Sequence, residues 1–290
     1  MAERASLVRD LAHVVVLFVL LLVLLVVVTK FKIVHPSTVP GWQGVYCDYV
    51  EQKHSIVGFV IGSDGAGDPD NLMLTLSKSQ PTLRIEPVRL SDITPGLLSR
   101  YEVLVVEKSK TVPFRTLSAL ESYLDGGGTL IWASDSLSHQ VLDSRDLSEL
   151  KQENLTHPDW YARTGKDYYT WFIEEFQSKP GFGDFGDKFI GGFIEARRST
   201  GSTFLNPVMR DHLMLSGITR VKLEPQIVLG VVNQNDDVNM LASIEGTGDD
   251  AFPAILEKKY VGRILYFAFP LESLESTAFL DNVFDYLVTC

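Results

Sequence analysis

The sequence is short of the residue types that most often carry chemistry. Of its 290 residues only two are cysteines, Cys47 and Cys290, and six are histidines, none of them after His212. The cysteines form no CxxC pair and have no Cys/His ligand spacing, which argues against a zinc site. They are either one disulfide in an oxidising compartment or two ordinary thiols. Positive charge is scarce as well. Twenty-six Lys and Arg stand against thirty-seven Asp and Glu, a formal charge of −11 with no basic patch to interrupt it, so nucleic acid is not an expected partner.

Apolar residues, by contrast, make up 45% of the chain and begin early. Residues 14–28 are fifteen uninterrupted apolar side chains, and Leu11, Ala12, His13 and Thr29 extend them to the span of a hydrocarbon core. No small-residue cleavage site or lipobox cysteine follows, since residues 29–32 read TKFK. The expectation is therefore a retained transmembrane anchor over 1–33 that meets the bilayer through residues 11–29. Arg4 and Arg9 before the helix balance Lys30 and Lys32 after it, so the charge rule for orientation is a tie. A short tail is easily left in the cytoplasm, which favours a globular part outside it, where Asn154-Leu155-Thr156 is a glycan acceptor sequence. Residues 34–54 are expected to be a juxtamembrane linker, with Trp42 either at the membrane interface or packed onto the domain.

The rest of the chain, 55–290, is organised around residues 101–135. Residues 102–106 are a Val- and Leu-rich run bounded by Glu107 and Lys108, as for a strand covered on both faces. Pro113 opens a helix in which Phe114, Leu117, Leu120 and Leu124 form one apolar stripe. Gly126-Gly127-Gly128 reads as its C-cap and turn, and residues 129–133 as a second strand. Two buried strands joined by a helical crossover predict a parallel α/β sheet. Strands at 56–61 and 83–90, a helix at 71–79 and a short helical crossover at 91–98 extend the same rhythm into a flavodoxin-like pattern with helices on both faces. Residues 136–215 break it. This insertion carries eleven aromatic side chains between Trp160 and Phe193, as a packed subdomain or as a partner- or glycan-binding face, for which Trp160, Tyr168, Tyr169 and Trp171 are the candidates. Strands at 226–231 and 239–243, a hairpin of 252–258 with 263–269, and a helix at 274–287 are expected to finish a mixed sheet with an antiparallel edge.

The run Tyr101–Val106, the segment Gly126–Ile131, and the later DHLMLSG (211–217), PAIL (253–256) and GRILYF (262–267) resemble the class I glutamine amidotransferase-like superfamily. The closest resemblance is to non-catalytic members: trehalose-utilisation-type proteins, auxiliary domains of ABC transporters, and uncharacterised prokaryotic domains anchored by a helix and a G-W-x-G segment, here Gly41–Gly44. The family places a nucleophilic cysteine on a glycine-flanked elbow after the fourth strand. The corresponding stretch here, residues 134–140, offers Ser136 instead, without the glycines. The family's late His-x-Glu base is missing, leaving His139 and His212 as candidate partners for Ser136. Capping and loop roles compete for Ser134, Ser136 and His139, and ordering of its own loop for His212.

A second candidate is the loop after the first strand, where Asp64, Asp68 and Asp70 would repel phosphate but suit an oxygen-ligated cation. The EF-hand spacing is not matched, and Asp68 or Asp70 serves equally as a helix N-cap. No cofactor is called for. The reading as a whole is a single-pass membrane protein with a catalytically degenerate domain that binds an envelope or transporter protein, or a second copy of itself. The alternatives are a membrane-tethered hydrolase or amidase using Ser136 and a surface carbohydrate-binding module.

Overall fold

The computed structural model describes residues 2–30, 34, 39, 41–51, 55–81, 83–177, 183–199, 201, 203–244, 252–274 and 276–288. It divides into two compact units, Met1–His54 with Val288–Cys290, and Ser55–Leu287.

In the first unit, α1 (Ala2–Lys30) contains the window His13–Lys30, whose mean hydropathy of 2.9 makes it long and apolar enough to cross a membrane. The following stretch, expected over 34–54 as a juxtamembrane linker, carries local helical structure. From Trp42 it forms α2 (Trp42–Val45) and a π-helical turn, Tyr46–Glu51. Trp42 packs on the anchor helix itself, where its indole Nε1 donates to Thr29 Oγ1 at 3.0 Å. Trp42, Tyr46 and Cys47 are buried against Leu22, Leu25 and Val26 of α1 and against Val39, so α1 supplies most of the apolar surface that they cover. Cys47 is disulfide-bonded, and the one other cysteine of the sequence, Cys290, lies outside the described residues.

The second unit begins with β1 (Ile56–Asp64), α3 (Pro69–Ser79), β2 (Arg84–Arg89), α4 (Pro95–Leu98) and β3 (Val103–Ser109). A short β4 (Thr111–Pro113) leads into α5 (Phe114–Asp125), and β5 (Thr129–Ala133) follows. α5 turns its stripe inward, burying Leu117, Leu120 and Leu124, and ends as expected. Gly126, Gly127 and Gly128 return their N–H groups to Ser122, Leu124 and Tyr123 at 3.0 Å each. β3 does not stop at the charges. It runs through Glu107 to Ser109, because the Glu107 carboxyl is fully buried with partners of its own.

The region after β5 holds β6 (His139–Val141), α6 (Ser144–Thr156), α7 (Trp160–Thr164), α8 (Tyr168–Gln177), α9 (Gly183–Phe189), β7 (Gly191–Arg198) and β8 (Thr203–Pro207). The chain then closes with β9 (Val221–Leu223), β10 (Val228–Gln234), β11 (Asn239–Ile244), β12 (Phe252–Lys259), β13 (Arg263–Phe267) and α10 (Thr277–Leu287). The main sheet has nine strands in the order β2-β1-β3-β5-β13-β12-β11-β8-β9. The first five are parallel, in the flavodoxin-like order, and β12, β11, β8 and β9 add an antiparallel edge.

Two expectations are corrected here. Residues 136–215 are not purely an insertion, since β8 belongs to the main sheet and β6 pairs with β4. β10, expected to extend the sheet, leaves it and forms an antiparallel ribbon with β7. Alternation of apolar residues marks a strand but does not name its neighbour. The ribbon is fixed by close contact: a Cβ on Gly230 of β10 would lie 2.2 Å from Tyr266 Oη and 2.4 Å from the Ser134 carbonyl oxygen. Gly230→Ala is therefore expected to cost about 1–3 kcal/mol of stability. Chemical denaturation of the full-length protein checks this, and a loss under a few tenths of a kcal/mol would refute the close packing.

Candidate functional site

The edge of the sheet where the parallel strands end holds the residues that the family resemblance singles out. Directly after β5, Ser134 adopts φ +53°, a left-handed conformation uncommon for a side chain other than glycine and of the kind that a nucleophile elbow uses. Ser134, two positions before the candidate Ser136, is thus the serine of this stretch with a left-handed backbone. Its hydroxyl is not presented to a substrate. Ser134 is fully buried, and Oγ donates to the Val228 carbonyl of β10 at 2.8 Å while the backbone N–H donates to Phe267 O at 2.7 Å. Tyr266 Oη lies 3.0 Å from the Ser134 carbonyl and 3.1 Å from that of Gly230, and shares its proton between them. Burial, and secondarily the nearby Asp135, push the Tyr266 phenol well up, so it stays a donor.

The other members of the expected triad are apart. Ser136 is buried, with Oγ accepting the Ser109 N–H at 3.5 Å and its carbonyl accepting Trp132 Nε1 at 2.6 Å. His139 lies exposed in β6. His212 lies at another corner, with Nε2 at 3.5 Å from Glu257 Oε2 and its ring edge-on to Tyr286 at 4.8 Å. Tyr286 donates to Glu257 Oε1 at 2.7 Å. Burial alone would raise the Glu257 carboxyl, but hydrogen bonds from His212 and Tyr286 and the charge of Lys259 outweigh it and hold the group below its usual range. His212 thereby ties the 211–217 loop to α10, the loop-ordering role. Among the described residues no hydrogen bond joins a serine of residues 134–138 to a histidine.

The three aspartates of the first loop are likewise dispersed. Asp64 accepts the Thr111 N–H at 3.1 Å and its hydroxyl at 2.5 Å. Asp68 is the N-cap of α3, taking the Asn71 N–H at 3.3 Å, and Asp70 is exposed in the first turn. Among the described residues, no group of three or more His, Cys, Asp or Glu side chains is placed to hold a metal ion. The loop instead closes over a buried acid that the sequence analysis passed over. Glu107 Oε1 accepts the Leu271 N–H at 2.9 Å, while Glu272 Oε1 accepts that of Asp68 at 2.6 Å. Burial first, then the neighbouring Glu272 carboxyl, hold the Glu107 carboxyl well above the usual carboxylate range. Gly67, at φ +114°, passes so near that a Cβ there would meet Glu107 Cγ at 2.5 Å. Charge at the end of an apolar strand was the available signal, read as a boundary rather than as a buried group.

The aromatic candidates do come together, in a helical lobe. Trp160 packs on Trp171 at 4.9 Å and edge-on to Tyr168 at 5.2 Å, and Tyr168 stacks on His157 at 4.6 Å. Tyr169 takes another direction, under Lys151 Nζ at 5.9 Å, and its N–H meets Asn154 Oδ1 at 3.3 Å. Asn154, the candidate glycan acceptor, therefore lies within α6. Between α5, α8 and α9 the packing leaves a cavity of about 510 Å³ lined by Phe114, Tyr168, Trp171, Phe172, Phe176 and Phe185 among others. Phe185 carries the lobe onto the sheet, its ring 5.5 Å from that of Trp132.

No protein-family model matches the sequence, and no curated protein sequence matches it. Solved structures share its fold. A β-galactosidase from Bacillus circulans sp. alkalophilus superposes with a TM-score of 0.55 at 12% identity over 80% of this chain, which spans only 31% of that enzyme. A ThuA-like protein from Bacteroides uniformis gives 0.50 at 14% identity over 80% of this chain and 89% of its own. A cytoplasmic protein of Salmonella typhimurium LT2 gives 0.51 at 13% identity over 80% and 99%. At such identities the likeness shows the fold alone: a mixed α/β domain built on a flavodoxin-like parallel sheet.

Proposed function

We propose that the chain is a single-pass membrane protein whose globular unit is a catalytically degenerate amidotransferase-like domain. In this reading it has no chemistry of its own and serves as a binding or scaffold component of a cell-envelope or transporter complex. The observation that carries the proposal is the elbow: Ser134 keeps the strained conformation, yet its hydroxyl is buried and bonded to Val228, and no histidine reaches it. A nucleophile needs an adjacent base and an open approach, and the β10 ribbon occupies that approach. The disulfide at Cys47 supports placing the domain on the oxidising, outer side of the membrane.

The test is affinity isolation of the detergent-solubilised full-length protein from its native membrane, with mass spectrometry and size analysis. A stoichiometric envelope or transporter protein, or a second copy, is the expected result. Recovery of the chain alone as a monomer would remove the proposal's main support. The same preparation addresses the hydrolase and glycan readings. Ser136→Ala is expected to leave any amidase or esterase rate unchanged, and truncating Tyr168, Tyr169 or Trp171 to leave glycan retention at background. A rate abolished by Ser136→Ala would turn the assignment to a serine hydrolase.

A further inference from the structure

We infer that the cavity between α5, α8 and α9 is a binding site for an organic cation with an apolar surface, of which a quaternary ammonium group is the simplest example. At about 510 Å³ the cavity has the size of a small-molecule site, for which roughly 300–1,000 Å³ is usual. Its apolar wall is mainly aromatic, and the rings approach from three helices: Phe114 from α5, Tyr168, Trp171, Phe172 and Phe176 from α8, and Phe185 from α9. They meet at angles, with Phe114 edge-on to Phe172 at 5.4 Å and to Phe176 at 6.0 Å. The cavity is thus bounded by ring faces and edges on several sides and not by one flat platform. The negative faces of such rings attract a cation, most strongly where water is displaced.

The charge of the wall points the same way. Glu121 of α5 and Glu175 of α8 both line the cavity, and no Lys, Arg or His does. Lys188 pairs with Glu121 without lining the cavity. Even with Glu121 paired to Lys188, an anion finds no cationic side chain in the lining to receive it, and a strongly hydrated small cation would lose its water to apolar rings. A cation carrying alkyl or aryl groups meets both kinds of surface with matching chemistry. Ser118 and Gln140 add hydrogen-bonding groups that fix orientation. The cavity lies wholly within the Ser55–Leu287 unit, so this inference does not depend on the anchor or on the scaffold proposal.

Equilibrium dialysis of the full-length protein in an uncharged detergent, corrected with protein-free micelles, tests it. The probes are choline and benzyltrimethylammonium, set against the uncharged carbon isostere of choline, benzyl alcohol and cellobiose. At least one cation is expected to bind saturably below about 10 mM, and about tenfold or more tighter than its uncharged comparator. Glu175→Gln, at an exposed position that should leave the fold intact, is expected to weaken that binding about threefold or more, and Trp171→Ala to abolish it. The inference is overturned if neither cation saturates, if the uncharged compounds bind as tightly, if cellobiose alone binds, or if Glu175→Gln leaves cation binding unchanged. Should Trp171→Ala fail to fold, the Glu175→Gln result decides.

Discussion

Trp132→Ala is expected to cost about 3–5 kcal/mol, a large part of the roughly 5–15 kcal/mol that holds a domain of this kind together. Trp132 is on β5, an interior strand of the parallel half of the sheet between β3 and β13, and is fully buried. Its ring meets Tyr266 of β13 edge-on at 5.7 Å and Phe185 of α9 at 5.5 Å, and Nε1 donates to the Ser136 carbonyl at 2.6 Å. Three things therefore fail together: packing between neighbouring strands, docking of the aromatic lobe, and the bond that holds the chain beyond the elbow. Trp132→Phe keeps most of the ring and removes the hydrogen bond, so about 1–3 kcal/mol is expected for it, the cost of an orphaned buried carbonyl plus a small void. Denaturant titration of both variants separates the contributions. Equal losses in the two would show that the hydrogen bond, and not the packing, dominates.

Glu107→Gln is expected to stabilise the protein at and above neutral pH and to have little effect in acid. The buried Glu107 carboxyl, raised by desolvation and by Glu272, keeps its proton in the folded state under conditions where the unfolded chain releases it. The folded state then binds more protons than the unfolded one. From the ordinary glutamate value of 4.5 upward to the raised folded value, stability therefore falls as pH rises, by up to about 1.4 kcal/mol per pH unit for this one group. A glutamine in its place has no proton to lose. The amide carbonyl can still accept the Leu271 N–H, so the variant removes the titration while keeping that bond. The melting temperatures of the two proteins should converge near pH 4 and separate toward about pH 8, with the variant higher. Parallel curves, or a variant that melts lower at pH 8, would show that Glu107 is held ionised.

How these groups came to be placed divides cleanly between sequence and tertiary structure. The long apolar helix near the N-terminus was legible because an uninterrupted apolar run of that length is a purely local signal, and among the described residues no other helix passes the same test of length and apolarity. The crossover from β3 through α5 to β5 was legible because its signals are local: a Val-rich strand, an apolar stripe at helical spacing and a glycine turn. Asp68 as an N-cap is local in the same way. The surroundings of Ser134 were not legible, since its hydroxyl and carbonyl are bonded to Val228 and Tyr266, 94 and 132 residues away in the chain. β10 looked like any other strand, and its departure from the sheet depends on Gly230 having room only for a hydrogen atom beside Tyr266.

Glu107 shows the same limit from the other side. A carboxylate at a strand end reads as solvent-facing, and only the convergence of β3 with the Asp68 loop and Glu272 buries it and pushes its pKa up. Composition announced the rings at Trp160, Tyr168 and Trp171, but it could not say that they would pack on one another, or that Tyr168 and Trp171 would also line a cavity against α5. Residue type and spacing fix which face of an element is apolar; which elements share that face is decided by packing over the whole domain, where each contact is compatible with many sequences. That is why the sequence by itself determined the long apolar helix, the fold class and the strand-helix rhythm, and why the buried Ser134, the shared proton and the aromatic cavity were decided by the tertiary structure alone.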